Sequence, residues 1–194
     1  ILYFLEKYPN QKSQLEQLSV LVDFLVKEFE AASTDSWPWY EEILSYDNAI
    51  IPFSILKAGN FLNNDAVKEI GIKSSIFLDN ILFRNGHLSL IGNNGWLTRE
   101  NQNNNQGQQP IEVASIILWY KELSKLNLDV NASEKIRLSF AWFLGVNDHK
   151  ESLFDLENMA CFDGLEPYGV NQNMGAESNI AFWMSYLHAK PFCK

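Results

Sequence analysis

The chain has 194 residues, of which 46% are hydrophobic and 20% charged, so it can form one sizeable core. Its 24 acidic and 15 basic residues give a formal net charge of -9, which opposes sequence-independent binding to the phosphates of nucleic acids. No apolar run reaches the roughly 18 to 20 residues that span a bilayer, because Asp23 and Lys27 interrupt the richest stretch, 18–29. We therefore expect neither a nucleic acid nor a membrane as a partner.

The cysteines and histidines form no pattern typical of a metal site or a disulfide framework. Cys161 and Cys193 lack companions at zinc-ligand spacing, and His87, His149 and His188 are scattered along the chain. The sequence also lacks a phosphate-binding glycine loop and a serine hydrolase elbow. We therefore expect unpaired thiols, a cytoplasmic location, no metal and no cofactor.

Six helices are predicted in chain order, and amphipathic helices alternate with nearly apolar ones. The amphipathic helices cover 13–32, 65–83 and 131–144, and the apolar helices cover 47–62, 110–126 and 175–189. Strand-like alternation is confined to one weak hairpin candidate at 88–91. The pattern predicts a single all-α domain over residues 1–194, in which an outer layer of helices surrounds an inner layer.

The loops that precede the apolar helices are rich in aromatic, amide and carboxylate side chains. If the inner helices run parallel, these loops gather at one end of the domain. Aromatic faces pack on the apolar faces of sugars, and amides and carboxylates bind the hydroxyl groups. We therefore expect the following side chains to bind a glycan: Trp37, Trp39, Glu41, Asn48, Trp96, Gln108, Gln109, Asn171 and Asn173.

Four carboxylates in these loops are candidates for acid and base catalysis: Asp47, Glu112, Asp163 and Glu177. Two carboxylates placed across a glycosidic bond can act as general acid and as base or nucleophile. Each also has a structural alternative. Asp47 is suited to cap a helix, Glu112 and Glu177 lie in first helical turns that favour negative charge, and Asp163 precedes a glycine as turn residues do.

The motifs in which these residues occur resemble a known family. They are WPWYE (37–41), YDNA (46–49), QQPIEVA (108–114), WFLGVND (142–148), DGL (163–165) and NQNMGAES (171–178). In this order they are similar to the helical region of bacterial proteins of the six-hairpin glycosidase-like class, which are often associated with glycosyltransferases. The resemblance covers most of 35–188.

The resemblance implies an (α/α)6 toroid built from helical hairpins. Twelve helices with their loops need on the order of 300 residues, so we expect this chain to be the C-terminal part of a larger toroid. The expected partners are a sugar or oligosaccharide, the missing N-terminal half of the toroid, and a glycosyltransferase domain.

Two functions remain open at this point. The first is a carbohydrate-active domain of glycoside hydrolase type, which binds and processes a glycan. The alternative is a non-catalytic module that binds a glycan or supports a glycosyltransferase. The sequence does not decide whether the chain is an enzyme, because both functions require the same polar loops.

Overall fold

The computed structural model describes residues 1–83, 85–101 and 105–193. About 53% of the chain is helical, and the described residues form seven α-helices, six short strands and a closing 3-10 turn. None of the described helices has the length and apolarity needed to cross a membrane. The elements are α1 (Leu2–Lys7), α2 (Lys12–Ala32), β1 (Ile43–Leu44), α3 (Ile50–Phe61), α4 (Asp65–Leu82), β2 (Leu97–Thr98), α5 (Pro110–Lys125), α6 (Ala132–Ala141), β3 (Phe154–Asp155), β4 (Ala160–Cys161), β5 (Gly164–Glu166), β6 (Gly169–Asn171), α7 (Ala176–Ala189) and the 3-10 turn Lys190–Phe192.

The prediction of an all-α domain is confirmed in part, because the described residues are mostly helical but also form six short strands. Each of the six predicted helices is present within three residues of its expected bounds. Helix α3 begins at Ile50 and not at 47, because Asp47 has a φ of 49°, outside the right-handed helical region. The hairpin suggested at 88–91 is irregular. The strands pair in antiparallel twos as β1 with β2, β3 with β4, and β5 with β6. The toroid itself remains a prediction.

The chain divides into two compact units, where the sequence predicted one helical domain. Unit 1 comprises Ile1–Glu42 with Ile51–Leu78, and unit 2 comprises Ile43–Ile50 with Asp79–Lys194. The chain passes between the units after Glu42, after Ile50 at the start of α3, and after Leu78 inside α4.

Aromatic packing forms much of the core of unit 1. The rings of Trp37 and Trp39 lie 5.0 and 6.1 Å from that of Phe77, between centroids. The Tyr40 hydroxyl lies 3.1 Å from that of Ser74, and burial raises the pKa of Tyr40 far above its usual range. The Trp-Pro-Trp loop is therefore part of the hydrophobic core.

Close packing of α3 against α4 depends on a glycine. A Cβ added to Gly71 would lie 2.8 Å from the side chain of Leu56, closer than real Cβ contacts allow. The sequence marks Gly71 as a weak point in its helix, and the structure shows that its small size allows the close approach.

Helix α5 is the centre of unit 2, where it packs against both α6 and α7. It is buried nearly all round, and its fully buried residues include Trp119 and Tyr120. The hydroxyl of Tyr120 donates a hydrogen bond to Asp79, and Lys135 of α6 binds the same carboxylate at 2.5 Å. The prediction of an inner helix at 110–126 is confirmed.

Helix α7 differs from α5, because only part of its surface is buried. Ser178, Ala181, Phe182, Ser185 and Ala189 are buried. The opposite face exposes four large apolar side chains, at Ile180, Trp183, Met184 and Leu187. Helix α7, which the sequence predicts as a nearly apolar helix of the inner layer, is therefore buried on one face only.

Candidate functional site

A polar cavity of about 280 Å³ lies in unit 2 at the N-terminal end of α7. Its walls come from the residue that precedes α5, from the β5–β6 hairpin and from the first turn of α7. The lining residues are Gln109, Asp163, Glu166, Asn171, Gly175, Ala176, Glu177 and Ser178. Four of the sequence-predicted site residues therefore share one cavity, namely Gln109, Asp163, Asn171 and Glu177.

Backbone pairing joins the segment before α5 to the β5–β6 hairpin. The amide of Gln108 donates to the carbonyl of Leu165 at 2.9 Å, and the amide of Leu165 donates back at 2.9 Å. A Cβ on Gly164 would lie 2.4 Å from the carbonyl oxygen of Gln108, so only glycine fits at this crossing. The pairing holds Gln109 beside the hairpin that forms the opposite wall.

Asp163 holds the N-terminus of α7. Its Oδ1 accepts hydrogen bonds from the amide of Gly175 at 2.7 Å and from the hydroxyl of Ser178 at 2.6 Å. A carboxylate at this position satisfies amide groups that the helix itself cannot pair. The structural alternative for Asp163 therefore has direct support, although the residue also lines the cavity.

Glu112 is a buried carboxyl group in the first turn of α5. Its Oε1 accepts a hydrogen bond from the amide of Asp47 at 2.6 Å, and its Oε2 lies 3.4 Å from the amide of Asn48. Burial raises the pKa of Glu112 to about 8, assisted by the Asp47 charge and opposed by the two amide groups. Glu112 is therefore mostly protonated at neutral pH, and it fixes the backbone of the 47–48 turn.

Asp47 lies in a strained turn between two other carboxylates. Burial is the main cause that raises its pKa, the charge of Glu177 adds to the effect, and the Ser115 hydroxyl opposes it. Within the described part of the chain, its Oδ1 is buried without a hydrogen-bond partner. A positive φ of 49° and an unpaired buried oxygen are both costly, and such features concentrate at functional sites.

Tyr46 connects the Asp47 turn to the rim of the cavity. Its hydroxyl donates a hydrogen bond to Oε2 of Glu177 at 3.1 Å. Burial, the hydrogen bond and the charge of Glu177 raise the pKa of Tyr46, so its hydroxyl keeps its proton at neutral pH. The Tyr46 side chain is 48% exposed, which leaves an aromatic surface open to a ligand.

Several predicted ligand-binding residues have other roles in the structure. Trp37 and Trp39 are 2% and 0% exposed in unit 1, so neither ring has a face open to a ligand. Gln108 is fully buried, and its amide group contacts Trp142, Asp148 and the Asn105 carbonyl. These three side chains are therefore structural, which corrects the sequence-based assignment.

The remaining four predicted residues do not line the cavity. Asn48 is buried, and its Oδ1 accepts the amide of Ser45 at 3.0 Å. Asn173 is exposed and accepts the amide of Asp163 through its carbonyl oxygen. Trp96 is half-buried before β2, and Glu41 is exposed in unit 1.

Sequence reasoning missed four residues of this region: Tyr46, Ser115, Glu166 and Ser178. Tyr46 begins the YDNA motif (46–49) and Ser178 ends the NQNMGAES motif (171–178). Glu166 becomes recognisable only when the β5–β6 hairpin is known. Ser115 follows Glu112 by three residues, a spacing that places both on one side of α5.

The possible metal ligands and the buried thiol of Cys161 define two further properties of this region. Among the described residues, no group of three or more His, Cys, Asp or Glu side chains could hold a metal ion. Burial, together with the charge of Asp163, raises the pKa of the Cys161 thiol to about 12. A thiol in this state is a poor nucleophile at neutral pH. The polar side chains that line the cavity carry carboxyl, amide and hydroxyl groups.

Comparison with known proteins found no matching family model, no matching curated protein and no matching solved structure.

Proposed function

We propose that unit 2 binds a neutral sugar or oligosaccharide in the cavity at the start of α7 and acts on its glycosidic bond. The observation that supports this most directly is the lining, which offers carboxylates, amides and a hydroxyl and, among the residues that the structure describes, includes no basic side chain. Sugar hydroxyl groups pair with such groups as both donors and acceptors. An anionic ligand would meet three carboxylates there, at Asp163, Glu166 and Glu177.

We assign two carboxyl groups to the reaction: Glu177, which lines the cavity, and Asp47, which adjoins it next to Tyr46, the residue that hydrogen-bonds to Glu177. A general acid must keep its proton near neutral pH, and burial raises the pKa of Asp47 in that direction. In the proposed step, Asp47 donates a proton to the leaving glycosidic oxygen as the bond to the anomeric carbon breaks. Glu177 serves the opposite face of the sugar, either as the base that takes a proton from attacking water or as the nucleophile.

Tyr46 and Glu112 support these two groups in the proposal. The Tyr46 hydroxyl orients Glu177 by its hydrogen bond, and the exposed part of its ring is available to stack on a sugar. Glu112 holds the Asp47 turn through the backbone amides. Neither residue needs to exchange a proton with the substrate.

The test is hydrolysis of a panel of neutral oligosaccharides by the full chain, followed by product NMR. Asp47→Asn and Glu177→Gln are each expected to lower the rate by about 100-fold or more. The matched control is Glu157→Gln, at an exposed position outside the cavity, which should keep the wild-type rate. Turnover that is unchanged in both site variants, or absent from the wild type across the panel, would contradict an enzymatic role.

One observation favours the alternative of a non-catalytic glycan-binding module. Glu112 and Asp163 are already used by backbone amides and by Ser178, which suits a rigid binding surface better than a reactive one. Calorimetry with the same oligosaccharides separates the alternatives. Binding without turnover, weakened by Gln109→Ala but little changed by Asp47→Asn, would favour the module. In this alternative, a glycosyltransferase domain would be its functional partner.

A further inference from the structure

The segment that follows α4 contains an exposed Asn-Gly step, Asn85–Gly86. Before it, the amide of Phe83 donates to the carbonyl of Asp79 at 3.2 Å, and after it the amide of Ser89 donates to the carbonyl of Leu82 at 2.9 Å. Among the described residues between these two points, 85–88, no backbone amide donates a hydrogen bond. The amide nitrogen of Gly86 is therefore unpaired and open to solvent.

An asparagine followed by glycine can react with its own backbone, and asparagine is among the residues that proteins lose by spontaneous chemistry. The backbone nitrogen of the glycine attacks Cγ of the asparagine, and glycine places no Cβ in the way of this close approach. Gly86 has a φ of 77°, and a Cβ built on it would have no atom within 4 Å. The described residues therefore leave open space beside the attacking nitrogen.

A second Asn-Gly step, Asn94–Gly95, has different surroundings. The amide of Asn94 donates to the carbonyl of Gln106, and the amide of Gly95 donates to the carbonyl of Asn93, both at 3.1 Å. The nitrogen that would attack is therefore already engaged, and the preceding amide is fixed to a neighbouring segment. Both asparagines are exposed, so the two steps differ in hydrogen bonding and not in accessibility.

We propose that Asn85 is a site of spontaneous deamidation, at which water is the only co-reactant. The nitrogen of Gly86 forms a bond to Cγ of Asn85, the bond from Cγ to Nδ2 breaks, and Nδ2 leaves as ammonia with the amide proton of Gly86. Water then opens the five-membered succinimide at one of its two carbonyl carbons. Opening at Cγ gives aspartate, and opening at the backbone carbonyl carbon gives isoaspartate.

The modification changes the chain two residues before His87, whose side chain lies 3.0 Å from Asp148. Each event replaces a neutral amide by a carboxylate, so ion-exchange chromatography separates modified from unmodified chains. The isoaspartate product also lengthens the backbone by one carbon beside the residue that contacts Asp148. The proposal does not depend on the proposed function.

Incubation of the full folded chain at slightly alkaline pH, followed by peptide mapping with mass spectrometry, tests the proposal. Asn85 is expected to react at least about tenfold faster than Asn94, because Asn94–Gly95 must first open two hydrogen bonds. Asn85→Gln should abolish the reaction at position 85, since glutamine would have to form a larger ring, and should leave the rate at Asn94 unchanged. Equal rates at the two asparagines, or a faster reaction at Asn94, would overturn the proposal.

The unfolded chain separates the effect of the fold from that of the Asn-Gly sequence. In guanidinium chloride that unfolds the protein, as checked by circular dichroism, both asparagines keep the following glycine but lose their different surroundings. Their rates are then expected to agree within about threefold. A tenfold preference for Asn85 that persists after unfolding would show that the local sequence sets the rates, which would overturn the structural assignment.

Discussion

Two carboxyl groups near the start of α5 respond to their surroundings in opposite directions. Asp148 accepts hydrogen bonds from His87, Ser89 and Gln108 at 3.0, 2.6 and 2.6 Å. Burial acts to raise its pKa, but the three donors outweigh burial and lower it. Glu112 is more deeply buried and lies near the charge of Asp47, and the hydrogen bonds from Asp47 and Asn48 do not offset these effects, so its pKa rises to about 8.

The difference shows that the donors around a buried carboxyl group decide whether it keeps its charge. Asp148 is a structural anion, because its negative charge is what orders the donors around it. Glu112 is a neutral acid at pH 7, because two amides do not compensate for burial beside a second carboxylate. Glu112 therefore holds the Asp47 turn as a neutral acid, whereas Asp148 is a charged part of the rigid support around Gln108.

The largest effect is expected from Gln108→Leu. Gln108 joins the Asp148 group to the indole of Trp142 and to the amide of Leu90. The substitution leaves the buried indole N–H without its partner and removes a donor from Asp148, so we expect a loss of about 3 kcal/mol in the free energy of unfolding. Urea denaturation at pH 7 measures this loss.

The control for this variant is the same substitution at the neighbouring glutamine, Gln109. Gln109 lines the cavity and is half-buried, so Gln109→Leu is expected to change the free energy of unfolding by less than about 0.5 kcal/mol. Equal destabilisation by the two variants would contradict a special structural role for Gln108.

The next effect is a change in pH dependence for Glu112→Gln. Folding raises the pKa of Glu112 from 4.5 to about 8, so between these values the folded state binds more protons than the unfolded state. Stability therefore falls as pH rises through this window. Glutamine mimics the protonated acid and does not titrate. Relative to wild type, the variant should gain on the order of 3 kcal/mol between pH 5 and pH 8.

Urea denaturation over this pH range checks the slope, and Glu112→Leu separates titration from hydrogen bonding. Leucine also does not titrate, but it removes the acceptor for the amides of Asp47 and Asn48. The leucine variant should therefore lose stability at pH 5 while showing the same flattened slope. A wild-type slope retained by Glu112→Gln would show that Glu112 is ionised in the folded protein.

The helices were predictable from sequence because their apolar spacing is long and regular. The loops before α5 and α7 could also be predicted to carry the polar site, and they supply Gln109, Asp163 and Glu177 to one cavity. The strands were missed because each has only two or three residues, too few to show alternation.

Gln108 and Gln109 show what the sequence could not resolve. They are adjacent and chemically identical, yet their side chains have different surroundings. Gln108, whose backbone pairs with Leu165, has a buried side chain, whereas Gln109 lines the cavity. The loop tryptophans pose the same problem. Whether an aromatic loop residue packs inward or faces a ligand depends on a tertiary contact, here the contact of Trp37 and Trp39 with Phe77.

The smallest effect, expected from Ser89→Ala, tests the donor argument itself. The Ser89 hydroxyl donates to Oδ2 of Asp148, and a hydrogen bond to a charged group is worth roughly 1.5 kcal/mol. Its removal should raise the pKa of Asp148 toward its ordinary value of 3.8, while His87 and Gln108 still hold it below that value. The stability that the lowered pKa provides is lost as pH falls below about 4. The variant should therefore lose less stability than the wild type over this acidic range.

Carboxyl-carbon NMR titration measures the pKa of Asp148, and Ser133→Ala, at an exposed position in α6, is the control. An Asp148 pKa that does not move in Ser89→Ala would mean that the number of donors does not distinguish Asp148 from Glu112.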